Sequence, residues 1–398
     1  LIETSALKLI EILAASGHET RFVGGAVRDA MLGLSISDVD LATTALPDEV
    51  SAQLGAAGIK TVPTGLAHGT LTAVVEGEGI EITTLREDSE TDGRHAVVTF
   101  TKDWEKDAAR RDFTFNALSR DAHGRIYDYF GGADDLRLGR VRFVGDATAR
   151  IREDYLRLLR FFRFHAWFGR VEPDEKTLNA LTVAAPQLAT LSRERVWKEL
   201  SKLLAAADPS ETIMLMLQKG ITKHLLPEAD RLATMCSLIS YEHMRKKKQA
   251  PNPLLRLAAL LTGKKVSAEK LQKRFALSTA ETQNLAHYLA NPLVFDGQFN
   301  AANLSFCLYR YGFDLTEDFL VLAQAQAAQF NWESAKPVLE KWVPKSFPLR
   351  GEDLLALGLS PGPRIGKILH AVENWWMAQN FVPDQAACLQ QARKLIEE

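Results

Sequence analysis

Hydrophobic and polar positions along the chain follow two periods. In residues 1–20 the apolar positions Leu7, Ile10, Leu13 and Ala14 recur at helical spacing. From 21 to 145, short β-rich runs alternate with helical ones: Arg21–Val23, Val39–Thr43, Gly69–Val75, Ile80–Leu85, Ala96–Phe100 and Ile126–Tyr129. From about 146 the strand signals fade and helical patterns take over, in Glu153–Trp167, Arg193–Ala205, Glu211–Lys219 and several later segments. The pattern predicts an α+β head with a small mixed sheet at 1–145, followed by a long all-helical arm. Pro251-Asn-Pro253 and Gly297-Gln-Phe-Asn300 are candidate junctions within the arm. No repeat of 20–50 residues is evident.

One segment breaks the pattern. Arg86–Ala109 is strongly polar and contains Asp92-Gly93-Arg94, so a mobile functional excursion beside the sheet is expected there. At 398 residues the chain is long enough for two to four domains, and 46% apolar with 25% charged residues is ordinary for a globular protein. No run approaches the ~18 apolar residues of a membrane span. The three cysteines, Cys236, Cys307 and Cys388, are too scattered for a disulfide framework or a zinc cluster. The first residues, Leu1-Ile-Glu-Thr-Ser5, show neither a signal-peptide pattern nor an initiator Met, so a trimmed cytoplasmic chain is expected. A net charge of −2 conceals segregation: Arg137–Arg170 holds nine arginines against three acids, and Arg245-Lys-Lys-Lys248 is a second basic stretch.

Three segments carry chemistry. Gly24-Gly25-Ala-Val-Arg28 is followed by Ser37-Asp38-Val-Asp40. Residues two apart in a strand share a face, so Asp38 and Asp40 converge as hard oxygen donors for Mg²⁺. The glycines let the backbone approach a polyphosphate, and Arg28 adds charge. Glu81, in the alternating run Ile80–Leu85, is either a third carboxylate for a metal pair or half of a cross-strand salt bridge. Next, Arg110-Arg111-Asp112 offers arginine forks for phosphate. Asp112 either accepts from a ribose hydroxyl or caps the next helix.

The third is Ile151-Arg-Glu153-Asp154-Tyr-Leu-Arg157-Leu-Leu-Arg160-Phe-Phe-Arg163. On a helix, Asp154 neighbours Arg157 and Glu153 braces Arg157 at i,i+4. Asp accepts only and Arg donates only. Adenine and cytosine each present an amino donor beside a ring-nitrogen acceptor, and the pair matches that edge. Guanine and uracil would leave polar groups unpaired, at ~1–3 kcal/mol each. Arg160 and Arg163 continue the row. The competing reading is a salt-bridged helix with Leu156, Leu159 and Phe162 facing a core.

Taken in order, these segments resemble the class II tRNA nucleotidyltransferases, the CCA-adding enzymes, within the polymerase-β nucleotidyltransferase superfamily. The resemblance runs from about residue 20 to 205. It includes Asp128-Tyr-Phe-Gly131-Gly132 and Glu194-Arg195-Val-Trp197-Lys-Glu199-Leu, and it is closest to bacterial and mitochondrial members. It implies catalytic metals on Asp38 and Asp40, with Glu81 completing the set. It implies triphosphate binding by Gly24, Gly25 and Arg28, and nucleotide contacts from Arg111 and Asp112. Asp154 and Arg157 would be a protein template for CTP and ATP, positioned by Glu153, with Arg160 and Arg163 in the same pocket. Residues 86–109 would act as a lever when specificity passes from CTP to ATP. The helical arm would divide into neck (146–205), body (206–296) and tail (297–398) and carry the acceptor arm of tRNA. The molecule would work as a monomer or homodimer.

The nearest rivals are an enzyme adding only CC or only A, and a bacterial poly(A) polymerase. Poly(A)-adding relatives usually carry a Gly-Arg-Arg-Phe-type segment where this chain has Val62-Pro-Thr-Gly-Leu-Ala-His68-Gly69. A fused HD-type phosphohydrolase is excluded by the absence of any His-Asp dipeptide. An inactive RNA-binding scaffold would have lost an acid or the template pair, and both are intact. Near the C-terminus, Gly358-Leu-Ser-Pro361-Gly362-Pro363 offers either a phosphate-binding turn with Lys367 or a tight helix connection; Trp375-Trp376 are expected to pack the tail.

Overall fold

Chain contacts in the computed structural model divide the protein into two compact units, Leu1–Pro227 and Glu228–Glu398. The residues described are 2–36, 38–88, 98–244, 250–261, 266–295, 298–300, 303–326, 330 and 332–397. The first unit takes in the expected head and neck and the beginning of the expected body.

Its opening part is a seven-stranded mixed sheet of order β3-β4-β5-β2-β1-β8-β9. The strands are β1 (Thr20–Val23), β2 (Asp40–Thr43), β3 (Lys60–Gly65), β4 (Thr70–Val75), β5 (Glu78–Thr84), β8 (Ser119–Arg120) and β9 (Ile126–Tyr127). Only β2 and β5 pair parallel, with Asp40 in register with Glu81. Helix α1 (Ile2–Ala15) lays Ala6, Leu9 and Leu13 into a core with Phe22, Leu41, Ile80 and Ile82. Strand β3 is absent from the sequence expectation because Pro63 and a polar, exposed pattern obscure it. It lies at the sheet edge and is irregular between Val62 and Gly65, where proline is tolerated. Within the polar excursion, strands β6 (Arg86–Asp88) and β7 (Val98–Phe100) pair antiparallel, and α4 (Trp104–Ala109), which Asp103 caps, follows. Asp92-Gly93-Arg94 lies outside the described residues.

Past the sheet, Gly132 opens α5 (Gly132–Leu138) against the chain at Thr114. A Cβ there would sit 2.1 Å from the Thr114 carbonyl oxygen, so no other residue fits. Helices α6 (Ala147–Glu153) and α7 (Leu156–Phe168) then replace the single helix expected over Glu153–Trp167. Asp154 is the break: its backbone is extended (φ −153°) and its Oδ1 accepts the Leu156 N–H at 3.0 Å. An Asp that prefers to cap the following turn ends one helix and starts the next.

Helix α7 is apolar beyond the three positions expected: Leu158, Phe161 and Phe164 are buried as well. Phe161 stacks on Phe143 (ring centroids 5.7 Å), Phe143 packs on Phe113 (4.7 Å), and Phe164 meets Phe113 and Phe115 edge-on (5.2 Å each). This seam fixes α7 to the segment that follows Asp112. Behind it lies α9 (Arg193–Leu204), after α8 (Glu175–Ala184).

The second unit is mostly helical. Asn252 caps the helix Pro253–Leu260 by accepting from Leu254 and Leu255. Near the C-terminus Trp376 is buried and donates to the Pro383 carbonyl at 2.9 Å, and Trp375 packs at the edge of the same core, as expected. Gly358 and Gly362 connect Gly351–Ala356 to Pro363–Ala378. The basic stretch Arg245-Lys-Lys-Lys248 lies outside the described residues.

Phe161→Ala should cost ~3–5 kcal/mol, the usual loss for a buried phenyl ring. Urea unfolding of the first unit reads this directly. A loss below about 1 kcal/mol would mean the aromatic seam does not hold α7.

Candidate functional site

A cavity of 590 Å³ in the first unit gathers every predicted site residue except Glu81 and Glu153. Gly24 and Gly25 enter where β1 passes into α2 (Gly25–Met31); Gly24 has φ +65°, a conformation that favours glycine. Arg28 is held on Asp29 (2.8 Å) and Asn116 Oδ1 (2.9 Å). Asp38 stands on the approach to β2 rather than in the strand. With Val39 buried between them, Asp38 and Asp40 still open onto the same cavity.

The acid cluster has a distinct electrostatic state. The Asp40 pKa is raised, first by burial, then by the charge of Glu81, with Asp38 adding to it and Arg111 opposing. Glu81 thus stands beside Asp40 in the parallel register without lining the cavity. Among the described residues, no three His, Cys, Asp or Glu side chains are gathered closely enough to hold an ion by themselves. The expected three-carboxylate set is therefore not preassembled. Two hard carboxylates opening onto one cavity nevertheless fit a divalent cation. A Mg²⁺-type ion commonly takes one or two carboxylates and completes its shell with substrate phosphates and water.

Asp112 does not cap a helix. The next turn is the 3₁₀ segment Thr114–Asn116, and the nearly buried Asp112 carboxylate accepts from Phe113 N–H (2.9 Å), Asn116 Nδ2 (3.0 Å) and Arg160 Nε (2.6 Å). Burial alone would raise its pKa, but the Arg160 charge and these hydrogen bonds hold it below its ordinary value. A ribose contact would have to share an oxygen that already accepts from Arg160 or from Phe113 and Asn116.

Asp154 and Arg157, the expected template pair, stand at the α6–α7 break, not on one continuous helix. Arg157 ion-pairs with Glu153, the i,i+4 brace expected, and donates to the Arg150 carbonyl at 3.0 Å. Asp154 Oδ2 accepts from Arg195 of α9 at 2.6 Å. One and two turns further on, Arg160 and Arg163 come together around Glu199, a buried carboxylate of α9, at 3.9 and 3.2 Å. Burial lowers the Arg163 pKa to about 10, against the pull of Glu199. Arg111 and Arg110 share Asp107, buried on α4.

Sequence reasoning assigned no role to Asn116, Asp107, Arg195, Glu199 or Lys202. The last three fall at i, i+4 and i+7, one face of a helix, within or just beyond a segment already singled out. That spacing was the available signal.

Residues 20–142 match the family described as the Poly A polymerase head domain, and residues 170–232 match one described as a probable RNA and SrmB-binding site of polymerase A. The chain is 35% identical to the mitochondrial CCA tRNA nucleotidyltransferase 1 of Mus musculus, over 98% of this chain and 90% of that protein. It is 31% identical to the CCA-adding enzyme of Ligilactobacillus salivarius, over 99% and 96%. A crystal structure of the Bacillus stearothermophilus CCA-adding enzyme in complex with CTP superposes with a TM-score of 0.77 at 26% identity, covering 98% of this chain and 97% of that one.

Because the Asp40 pKa is raised, a cation bound there should be lost as pH falls through a value above the ordinary 3.8. By the same sign, ionised Asp40 destabilises the metal-free fold at neutral pH, so Asp40→Asn should melt higher without metal. Calorimetric Mg²⁺ titration across pH, with melting of the variant, checks both; affinity persisting below pH 3.8 would contradict the first.

Proposed function

The chain belongs to the CCA-adding enzymes, the tRNA nucleotidyltransferases, and from that premise we propose that it completes the 3′ end of tRNA with C, C and A, using CTP and ATP and no nucleic-acid template. The observation that carries the proposal is a single cavity shared by the Asp154–Arg157 pair, the Gly24-Gly25 backbone with Arg28, and the Asp38–Asp40 pair. These are the three recognitions a templated addition requires: a base edge, a polyphosphate and a reaction centre.

In the reaction the 3′-hydroxyl oxygen bonds to the α-phosphorus while the bond from that phosphorus to the β-bridging oxygen breaks, and pyrophosphate leaves. The family implies a divalent metal. We assign Mg²⁺ to Asp38 and Asp40, where it would make the hydroxyl more nucleophilic and neutralise the leaving group. The chain's own residues bind and orient. Arg28 and Arg111 offer N–H forks to phosphate oxygens. Arg157, braced by Glu153, donates to the ring nitrogen of cytosine or adenine, and Asp154 accepts from the exocyclic amine. Glu81 remains a proposed helper, through its charge on Asp40. No helix among the described residues is long and apolar enough to cross a membrane. A cytoplasmic location is part of the proposal and rests on the bacterial relatives; the vertebrate relatives are named as mitochondrial.

Asp38→Ala or Asp40→Ala should abolish incorporation of both nucleotides, and near-normal turnover of either with Mg²⁺ would remove the metal assignment. Wild-type enzyme given tRNA lacking its 3′ end should add C, C and A and then stop. Processive A-tailing of unrelated RNA would favour a poly(A) polymerase, and a halt after CC a partial enzyme. Arg157→Ala should relax discrimination against UTP and GTP by roughly 5- to 150-fold, the equivalent of ~1–3 kcal/mol. Unchanged base choice in that variant would contradict the template role.

A further inference from the structure

The cavity wall carries eight cationic side chains, and seven of them are arginines already tied to carboxylates. Arg28 pairs with Asp29, Arg110 and Arg111 with Asp107, Arg157 with Glu153, Arg160 with Asp112, Arg163 with Glu199, and Arg195 with Asp154. The eighth, Lys202, has no ion-pair partner among the described residues. Exposed at the rim of the cavity, its ammonium is available to an anion that enters the cleft.

Its place in the fold says which anion. The Trp167 Nε1–H donates to the Lys202 carbonyl at 2.7 Å, which fixes Lys202 beside the far end of α7. Trp167 lies ten residues beyond Arg157, about 15 Å along the helix. Arg28, to which the proposed function gives the phosphates, lies over the rings of Phe164 and Phe168 near that end, at 5.2 Å from each, so a nucleotide with its base at Arg157 would run its phosphates toward it. Lys202 also lines an adjoining cavity of 560 Å³ together with Arg28, Asp38 and Arg163. It therefore stands past the reaction centre on the side away from the base.

Resting on the nucleotide-binding reading above, we propose that Lys202 binds the β- and γ-phosphates of the incoming nucleotide and holds the departing pyrophosphate. An ammonium suits this position as a mobile point charge, able to follow a leaving group that an arginine fork would fix. Its pKa supports the assignment: partial burial lowers it, the Arg163 charge lowers it further, and Glu199 opposes. A bound polyphosphate would reverse that depression.

The test compares ligands that differ only in the phosphates Lys202 would touch. Calorimetry with CTP and CMP in Mg²⁺ is run on wild type, Lys202→Gln and Lys202→Arg. Lys202→Gln should weaken CTP binding roughly 10- to 100-fold, as expected for loss of a charged hydrogen bond, and leave CMP binding at the wild-type level. Lys202→Arg should recover part of the CTP affinity. In the reverse reaction, Lys202→Gln should raise the KM for pyrophosphate while base selection stays unchanged. Equal losses for CTP and CMP would show that the lysine only supports α9 and would overturn the inference. So would unchanged CTP affinity. Wild-type protein that binds no CTP at all would instead remove the nucleotide reading on which the inference stands.

Discussion

The aromatic seam along α7 is the constraint on which the site depends. Phe161 and Phe164 are clamped against Phe113, Phe115 and Phe143, in the chain that leads directly out of Asp112. With those rings locked, the flank of the helix beside them presents one row, Arg157, Arg160 and Arg163, the last lying over the Phe164 ring at 4.1 Å. Arg160 is then delivered to Asp112, and the side chains of the helical region become one wall of a cavity whose other wall is the start of α2, the Asp38–Asp40 segment and residues 110–116. Packing energy from a non-polar seam thus sets the geometry of polar recognition, an arrangement that keeps long arginine side chains from wandering.

Charge follows from that geometry. An arginine brought into a partly dry cleft loses hydration, and each one here has a carboxylate that offsets the loss. Glu199 is the extreme case, a buried acid shared by two arginines. Such pairs add little net stability, but breaking one leaves an unpaired buried charge. They hold the guanidinium planes ready before the nucleotide arrives, so less ordering is left for the binding step. The acidic corner is built in the opposite sense. Burial, and then the charges of Glu81 and Asp38, oppose the ionisation of Asp40, as its raised pKa records. A cation bound there would relieve that opposition. One cavity therefore sets arginines paired with carboxylates beside Asp38 and Asp40, which the proposal gives to the nucleotide and to the ion respectively.

Much of this was legible in the chain, because the determinants are local. Short β-rich runs marked β2, β4 and β5, the last by its two-residue alternation, and the Glu153–Arg157 brace follows from helical spacing alone. Other features depend on tertiary context. Edge strand β3 tolerates Pro63 only because one of its flanks is unpaired. The break at Asp154 depends on its carboxylate choosing the Leu156 N–H over continued helix. Asp112 offered two local readings, and the structure gives one of its oxygens to Arg160, a residue 48 positions away. Arg195 and Glu199 could be noticed by spacing but not assigned, since their partners lie on another helix.

The central claim is that side chains, not a nucleic-acid strand, choose the base. The most direct measurement is a crystal structure of the protein with CTP and Mg²⁺. The account predicts the cytosine amine at hydrogen-bond distance from Asp154 and its ring nitrogen at hydrogen-bond distance from Arg157, with a cation on Asp38 and Asp40. A cytosine edge turned away from that pair, or no ion at the two aspartates, would contradict it.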